Sequence, residues 1–228
     1  MNILIIGATS GIGNSLYSHY ISCGNRVAIM GRRKNILDEI CAANPTDTLA
    51  LQVDISDINS FSNAFEEVVK SFQNIDLAIL CAGIGELNEP LDIKQELATL
   101  STNVVGWTNV VDTLYNHFEK TGKGHLVTIT SVGGLQPTPI APSYSASKAF
   151  QINYTKSLQA KARKTAITVT EIRPGLVDTR MAKGNGLFWV MPLDKVSKQI
   201  IKAIDNKKKL CVVTKRWRIL NYIVKHFL

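Results

Sequence analysis

The sequence predicts an α/β fold in which one doubly wound parallel sheet of about seven strands carries helices on both faces. Three observations predict it. Apolar runs of strand length alternate with stretches of helical periodicity from residue 2 to residue 213, with no repeat or linker between them. Several of those runs are apolar throughout, as strands covered on both faces are. The first of them runs directly into three glycines, Gly7, Gly11 and Gly13, and a helical pattern follows.

Each element has its own signal. Residues 3–6 are aliphatic without a break, residues 14–22 place Leu16, Tyr20 and Ile21 on one helical side, and residues 26–30 form a second strand. Residues 34–43 read as a helix stopped by Asn44-Pro45, and residues 48–53 as a strand. Ser56-Asp57 open a helix that continues to Phe72, with Phe61, Phe65, Val68 and Val69 on one side. An apolar strand over 76–82 ends in Gly83, and a long helix covers about 94–119. After the turn Gly122-Lys123-Gly124 come a strand over 125–130 and a helix over about 143–163. A strand over 167–172 is broken by Pro174-Gly175, and a helix over 192–204 precedes a last strand over 210–213. The domain thus spans 1–214, followed by a basic amphipathic segment over 215–228.

At 228 residues and 45% hydrophobic, the chain suits one well-buried domain and is short for two. No stretch reaches the ~18–20 apolar residues of a membrane span, and a strand starting at residue 2 leaves no room for a leader. Cys23, Cys41, Cys81 and Cys211 lack metal or redox spacing and suit reduced thiols in a cytoplasmic protein. His19, His117, His125 and His226 form no ligand cluster, so no metal is expected. Of the net charge of +8, the stretch from Lys202 onward holds eight basic residues against Asp205 alone. That tail is either a solvated basic end or attracted to an anionic surface, and nucleic acid is not an expected partner.

The glycine turn gives the first chemical signal. In a Rossmann-type βαβ unit such a turn brings backbone N–H groups and a helix N-terminus up to a pyrophosphate. The second signal is Ser131, Tyr144 and Lys148. Tyr144 and Lys148 stand four apart on a predicted helix, hence on one face, and Ser131 ends a strand thirteen residues before Tyr144. A tyrosine with a reference pKa near ~10 is a poor proton carrier at neutral pH, and a nearby ammonium can lower that value.

From Ile3 to about Val213 the chain resembles the short-chain dehydrogenase/reductase family, whose glycine loop has the spacing Gly-x-x-x-Gly-x-Gly found here. The resemblance implies that Gly7, Ser10, Gly11, Ile12 and Gly13 hold the dinucleotide and that Asp54 contacts adenine. It implies that Ala82 and Gly83 line the cofactor, and that Pro174, Gly175 and Thr179 cover the nicotinamide. Ser131, Tyr144 and Lys148 match the catalytic trio, and Asn103 the fourth residue, which in the family holds a water leading to the lysine. Tyr144 and Lys148 count among the cofactor-binding residues as well, Lys148 through the nicotinamide ribose. Two positions depart from the family: Ile6 stands before the first glycine in place of Thr, and Leu80-Cys81-Ala82-Gly83 replaces Asn-Asn-Ala-Gly. Apolar packing is expected to replace hydrogen bonding there.

Cofactor choice follows from the end of the second strand, Met30-Gly31-Arg32-Arg33-Lys34, where no acid appears before Asp38. A carboxylate would repel a 2′-phosphate, whereas a guanidinium grips it, so Arg32 and Arg33 predict NADP, with NADPH preferred to NADH. The expected activity is interconversion of a carbonyl and a secondary alcohol, with Tyr144 as proton donor and acceptor. Alternatives are a 3-oxoacyl thioester reductase and a nucleotide-binding regulatory or scaffold protein without catalysis. The substrate is expected to be a small, apolar carbonyl or alcohol; residues 181–192, which include Leu187, Phe188, Trp189, Val190 and Met191, read either as core packing or as a lid that closes over it. The family resemblance further implies a homo-oligomer paired through the helices over about 94–119 and 143–163. In the tail, Ile219, Tyr222, Ile223 and Phe227 share one helical side, fit to pack on protein or to lie in a membrane interface.

Overall fold

The computed structural model describes residues 1–180, 189–214, 216, 217 and 219. Its strands are β1 (Asn2–Ile6), β2 (Arg26–Gly31), β3 (Thr48–Gln52), β4 (Leu77–Leu80), β5 (Lys123–Ile129), β6 (Ala166–Pro174) and β7 (Leu210–Val213). All pair in parallel, in the order β3-β2-β1-β4-β5-β6-β7. The chain therefore reverses its direction of growth between β1 and β4, and such a switch point opens a crevice at the carboxyl ends of the strands.

The helices are α1 (Gly11–Ser22), α2 (Lys34–Ala43), α3 (Ile58–Phe72), α4 (Ile93–Leu100), α5 (Trp107–Thr121), α6 (Pro142–Lys161) and α7 (Leu193–Asp205). Alternate residues of β1 serve two separate cores. Leu4 and Ile6 pack with Phe61 and Phe65 of α3, Trp107, Leu114 and Phe118 of α5, and Leu158 of α6. Ile3 and Ile5 pack with Leu16, Tyr17 and Tyr20 of α1, Leu37 of α2, and Val196, Ile200 and Ile204 of α7. Local chemistry sets the boundaries: the Asp57 carboxylate caps α3 by accepting from Ser60 N, Pro142 opens α6, and Gly122 ends α5 at φ 80°.

Three features differ from the sequence reading. Helix α1 begins at Gly11 rather than residue 14, so the second and third glycines lie in its first turn. Its buried face takes Tyr17 together with Leu16 and Tyr20, leaving Ile21 half-buried. The long helix over 94–119 is broken by a π-helical turn, Ser101–Gly106, between α4 and α5. Gly106 lies so close to the Ile55 carbonyl that a side chain there would collide with it.

The two apolar departures from the family pattern prove to be neighbours. Ile6 and Leu80 are direct cross-strand partners of β1 and β4, both essentially without exposed surface. The sheet centre is held there by packing, as expected, and the Cys81 N–H continues the ladder to the Ile6 carbonyl at 2.8 Å. Residues 181–188 of the expected substrate-closing segment lie outside the described residues, as does most of 215–228. Trp217, which is described, is buried against Gly175 and lies edge-on to Trp189 at 5.8 Å between ring centroids. No described helix is long and apolar enough to cross a membrane.

Candidate active site

The glycine loop leaves β1 at the switch point. Gly7 has φ +90°, and a Cβ there would stand 2.6 Å from Ala82 N. A Cβ on Gly13 would collide with the Gly7 carbonyl, so only glycine lets α1 start this close to the strand. Ser10 precedes the helix in extended geometry, and its hydroxyl accepts from Arg33 Nη2 at 2.7 Å. Arg33 also donates to Thr9 Oγ1 through Nη2 at 2.7 Å and Nε at 3.2 Å, lashing the end of β2 to the loop. Thr9 is a partner that sequence reasoning missed. Ile12 packs against the β1–α7 side of the core, which leaves its backbone rather than its side chain for a ligand.

Arg32 has another partner. Its Nη1 stands 3.8 Å from the Asp54 carboxylate, both side chains well exposed. Asp54 accepts from the Ser56 N–H at 3.0 Å and the Ser56 hydroxyl at 2.7 Å. Burial alone would raise the Asp54 pKa, but the Ser56 hydrogen bonds and the Arg32 charge outweigh it and hold the group below the ordinary carboxylate range.

The second cluster lies at the carboxyl ends of β4 and β5 against α6. Ser131, just past β5, stands in extended geometry with its hydroxyl accepting from Gly133 N at 3.0 Å. Tyr144 and Lys148 share the inner face of α6, with Lys148 Nζ 5.9 Å from the Tyr144 ring centroid. Gly85 and Gly133 flank that ring: a Cβ on Gly133 would be 3.3 Å from Tyr144 Cε1, and one on Gly85 would overlap the ring. These two glycines carry no sequence motif, and a structure is needed to see that they make the slot for the tyrosine.

Lys148 is buried, and its ammonium donates to the Ile129 carbonyl at 3.3 Å and to Gln151 Oε1 at 2.8 Å. Burial pulls its pKa down to about 8. Cys81 faces it, but burial pushes that thiol up to about 12, so it is uncharged at neutral pH. Tyr144 lies above its ordinary pKa: burial raises it, and hydrogen bonding with the Ser131 side chain offsets only part. The lowering expected from the lysine is not what this arrangement gives: burial dominates, and the counterweight to it is the Ser131 hydroxyl.

Asn103 sits in the π-helical turn with no exposed surface. Its side chain donates to the Ile84 carbonyl at 2.7 Å and the Ser147 hydroxyl at 3.1 Å, and accepts from Ile84 N at 2.9 Å. It thereby fixes the strand-end segment beyond Ala82 and Gly83; a Cβ on Gly83 would meet Asn103 Oδ1 at 3.2 Å and Lys148 Nζ at 3.5 Å. The connection from the Asn103 main chain to Lys148 is made by the side chain of Gln151, which sequence reasoning did not single out.

Pro174 ends β6, and Gly175 N donates to the Val213 carbonyl at 2.9 Å. Thr179 reaches back over the glycine loop, where its Cγ2 would be 3.2 Å from a Cβ on Gly11. The residues expected at the site lie at the carboxyl ends of the strands: the glycine loop with Arg33 and Thr179, the Arg32–Asp54 pair, and Ser131, Tyr144, Lys148, Asn103 and Gly83, while Pro174 and Gly175 end β6 against Val213 and Trp217. The glycine cradle, which side chains would fill, fits a dinucleotide pyrophosphate. Among the described residues no group of His, Cys, Asp and Glu could hold a metal ion.

Comparison with known proteins agrees with this geometry. The profile of the short chain dehydrogenase family matches residues 1–187. An uncharacterised oxidoreductase of Mycobacterium tuberculosis is 30% identical over 215 residues, covering 90% of this chain and 85% of the relative. A short chain dehydrogenase from Burkholderia cenocepacia, solved in complex with NADP, superposes with a TM-score of 0.86 at 20% identity, covering 99% of this chain and 93% of the other. A short chain dehydrogenase/reductase from Burkholderia phymatum, solved in complex with NAD, also gives 0.86, at 17% identity, covering 98% and 91%. The chain belongs to the short-chain dehydrogenase/reductase family, enzymes that use a nicotinamide dinucleotide and act on CH–OH groups.

Proposed function

We propose that this protein is an NADP-dependent oxidoreductase that interconverts a small carbonyl compound and its secondary alcohol, with Tyr144 carrying the proton. The observation that carries the reading is the convergence of Ser131, Tyr144, Lys148 and Asn103 beside the glycine cradle, with Tyr144 slotted between two glycines. A bound nicotinamide supplies the hydride. In reduction, Tyr144 gives its hydroxyl proton to the substrate oxygen, and the Ser131 hydroxyl donates a hydrogen bond to the same oxygen. The Lys148 ammonium stabilises the phenolate left behind. Lys148 must be charged for this, so reduction falls as pH rises through about 8, where burial places its loss of the proton.

The same reading places the adenosine half between the glycine loop and Arg32, Arg33 and Asp54. Exposed Arg32 is free to turn from a solvent-screened partner toward a 2′-phosphate, and no acid stands between Met30 and Lys34 to repel it. Homo-oligomer formation is supported by exposed Ile93, Leu97, Leu100 and Val105 along α4 and the π-helical turn, with Leu91 just before them. Sedimentation equilibrium checks that part, and a monomer at micromolar concentration refutes it.

The test of function is a panel of aldehydes, ketones and thioester-linked 3-oxoacyl compounds, each with NADPH and NADH. Turnover of simple carbonyls with NADPH supports the reading. Turnover confined to the thioesters moves it to the 3-oxoacyl class, and nucleotide binding without any turnover leaves a binding protein.

A further inference from the structure

Three buried groups form a chain that the proton chemistry of Tyr144 does not by itself require. The Gln151 side chain donates from Nε2 to the main-chain carbonyl of Asn103 at 2.9 Å and accepts from Lys148 Nζ at 2.8 Å. Gln151 and Asn103 have no exposed surface, and Lys148 has 5%. Gln151 lies one turn beyond Lys148 on α6, while Asn103 belongs to the π-helical turn 48 residues earlier. The amide thus ties the helix that carries the proton donor to the π-helical turn between α4 and α5. We propose that Gln151 is a positioning residue of this enzyme: it clasps the Lys148 ammonium to the Asn103 carbonyl and holds the lysine charged and aimed at Tyr144.

The donor and acceptor inventory supports this assignment. An ammonium has three N–H groups and no acceptor. Ile129 O takes one and Gln151 Oε1 a second, which leaves one directed to the site. A carboxamide has a fixed polarity, so anchoring its N–H on Asn103 O turns its oxygen to the ammonium. That oxygen accepts more strongly from an ammonium than from a neutral amine, which favours the charged form. The remaining groups around Nζ give little help. Tyr144, one turn back on α6, and Cys81, beyond β4, are the titratable groups facing it, and both are neutral at pH 7 because burial raises their pKa values. Asn103 and Gly83 face it without charge. With burial already holding Lys148 at about 8, loss of the Gln151 acceptor would take its charge away within the neutral range. A carboxamide also neither gains nor loses a proton near neutrality, so it holds the lysine without relaying protons to Asn103.

This inference rests on the assignment of the proton chemistry to Tyr144 and Lys148, so that assignment is tested first: Tyr144→Phe and Lys148→Met must each abolish carbonyl turnover, and retention of turnover defeats the assignment rather than the role of Gln151. The role itself is tested by the pH profile of kcat/KM for reduction in Gln151→Leu and Gln151→Glu. Gln151→Leu is expected to move the alkaline limb down by roughly 1 pH unit, about the effect of one charge-assisted hydrogen bond, and to lower kcat more than it raises KM. Gln151→Glu, which places a carboxylate at the ammonium, is expected to move the limb the other way. A merely structural role would lower Tm and activity and leave the limb where it is in both variants, which overturns the proposal. A measurement on the wild-type protein decides the matter even if neither variant folds. A high-resolution crystal structure showing the amide bridging Asn103 O and Lys148 Nζ supports the clasp. One with the Gln151 side chain turned away from Lys148 overturns it.

Discussion

At the proton end of the site, Asn103, Lys148 and Gln151 are buried and joined by hydrogen bonds of 2.8–2.9 Å, whereas at the adenosine end Arg32 and Asp54 face each other across 3.8 Å with much of each side chain in solvent. The contrast follows from the tasks. A group that must hold or release a proton needs its pKa set, and burial among fixed partners sets it strongly. A group that must grip a phosphate needs charge and reach, and a solvent-facing guanidinium supplies both while pairing only weakly with its neighbour. Substitutions at the buried end should therefore act on chemistry with large effects, and those at the exposed end on binding with graded ones.

The largest effect expected is at the buried end. Lys148→Met should reduce single-turnover hydride transfer at least ~10²-fold, the scale of losing a positioned proton-transfer group. A smaller loss would mean that the two ends differ less than their burial implies. Between the ends stands the glycine cradle. Gly13→Ala places a methyl group against the Gly7 carbonyl and should cost about 1–3 kcal/mol, read as a lowered Tm together with weakened nucleotide binding. An unchanged Tm would show that the loop yields easily.

At the exposed end, Arg32→Ala should weaken NADPH about ten-fold and leave NADH nearly unchanged, as calorimetric titration of both would show. Equal affinities of the wild type for the two nucleotides would remove the phosphate role. The smallest effect is expected just beyond it. Lys34 makes an exposed ion pair with Asp38 at 2.8 Å, and Lys34→Ala should change stability by no more than about 0.5 kcal/mol and the nucleotide affinities not at all. A loss of NADPH binding there would widen the phosphate site past Arg33.

The two ends also differed in how far the sequence revealed them. Strands announced themselves because a sheet covered on both faces must be apolar throughout, as residues 3–6 and 77–80 are. Tyr144 and Lys148 were legible because a helix places i and i+4 together. The π-helical turn was not, since residues 94–119 keep a helical pattern and what sets the turn apart is Gly106 against the Ile55 carbonyl, a contact distant in sequence. Gln151 was hidden for a related reason. It stands at i+3 from Lys148, a readable spacing, but its other partner is a main-chain carbonyl, to which side-chain patterns are blind. Gly85 and Gly133 belong to no motif, and only the fold brings them to either side of the Tyr144 ring. At the adenosine end the basic turn is legible, but side-chain patterns do not show that Arg33 holds Thr9 and Ser10 while Arg32 faces solvent beside Asp54.

The central claim is that Tyr144 carries the proton in a site whose nucleotide cradle is built independently of it. Its most direct test measures NADPH binding by calorimetry and carbonyl turnover on the same Tyr144→Phe protein. The account predicts nucleotide affinity and Tm close to wild type with turnover down at least ~10²-fold. A Tyr144→Phe enzyme that keeps most of its turnover would contradict it.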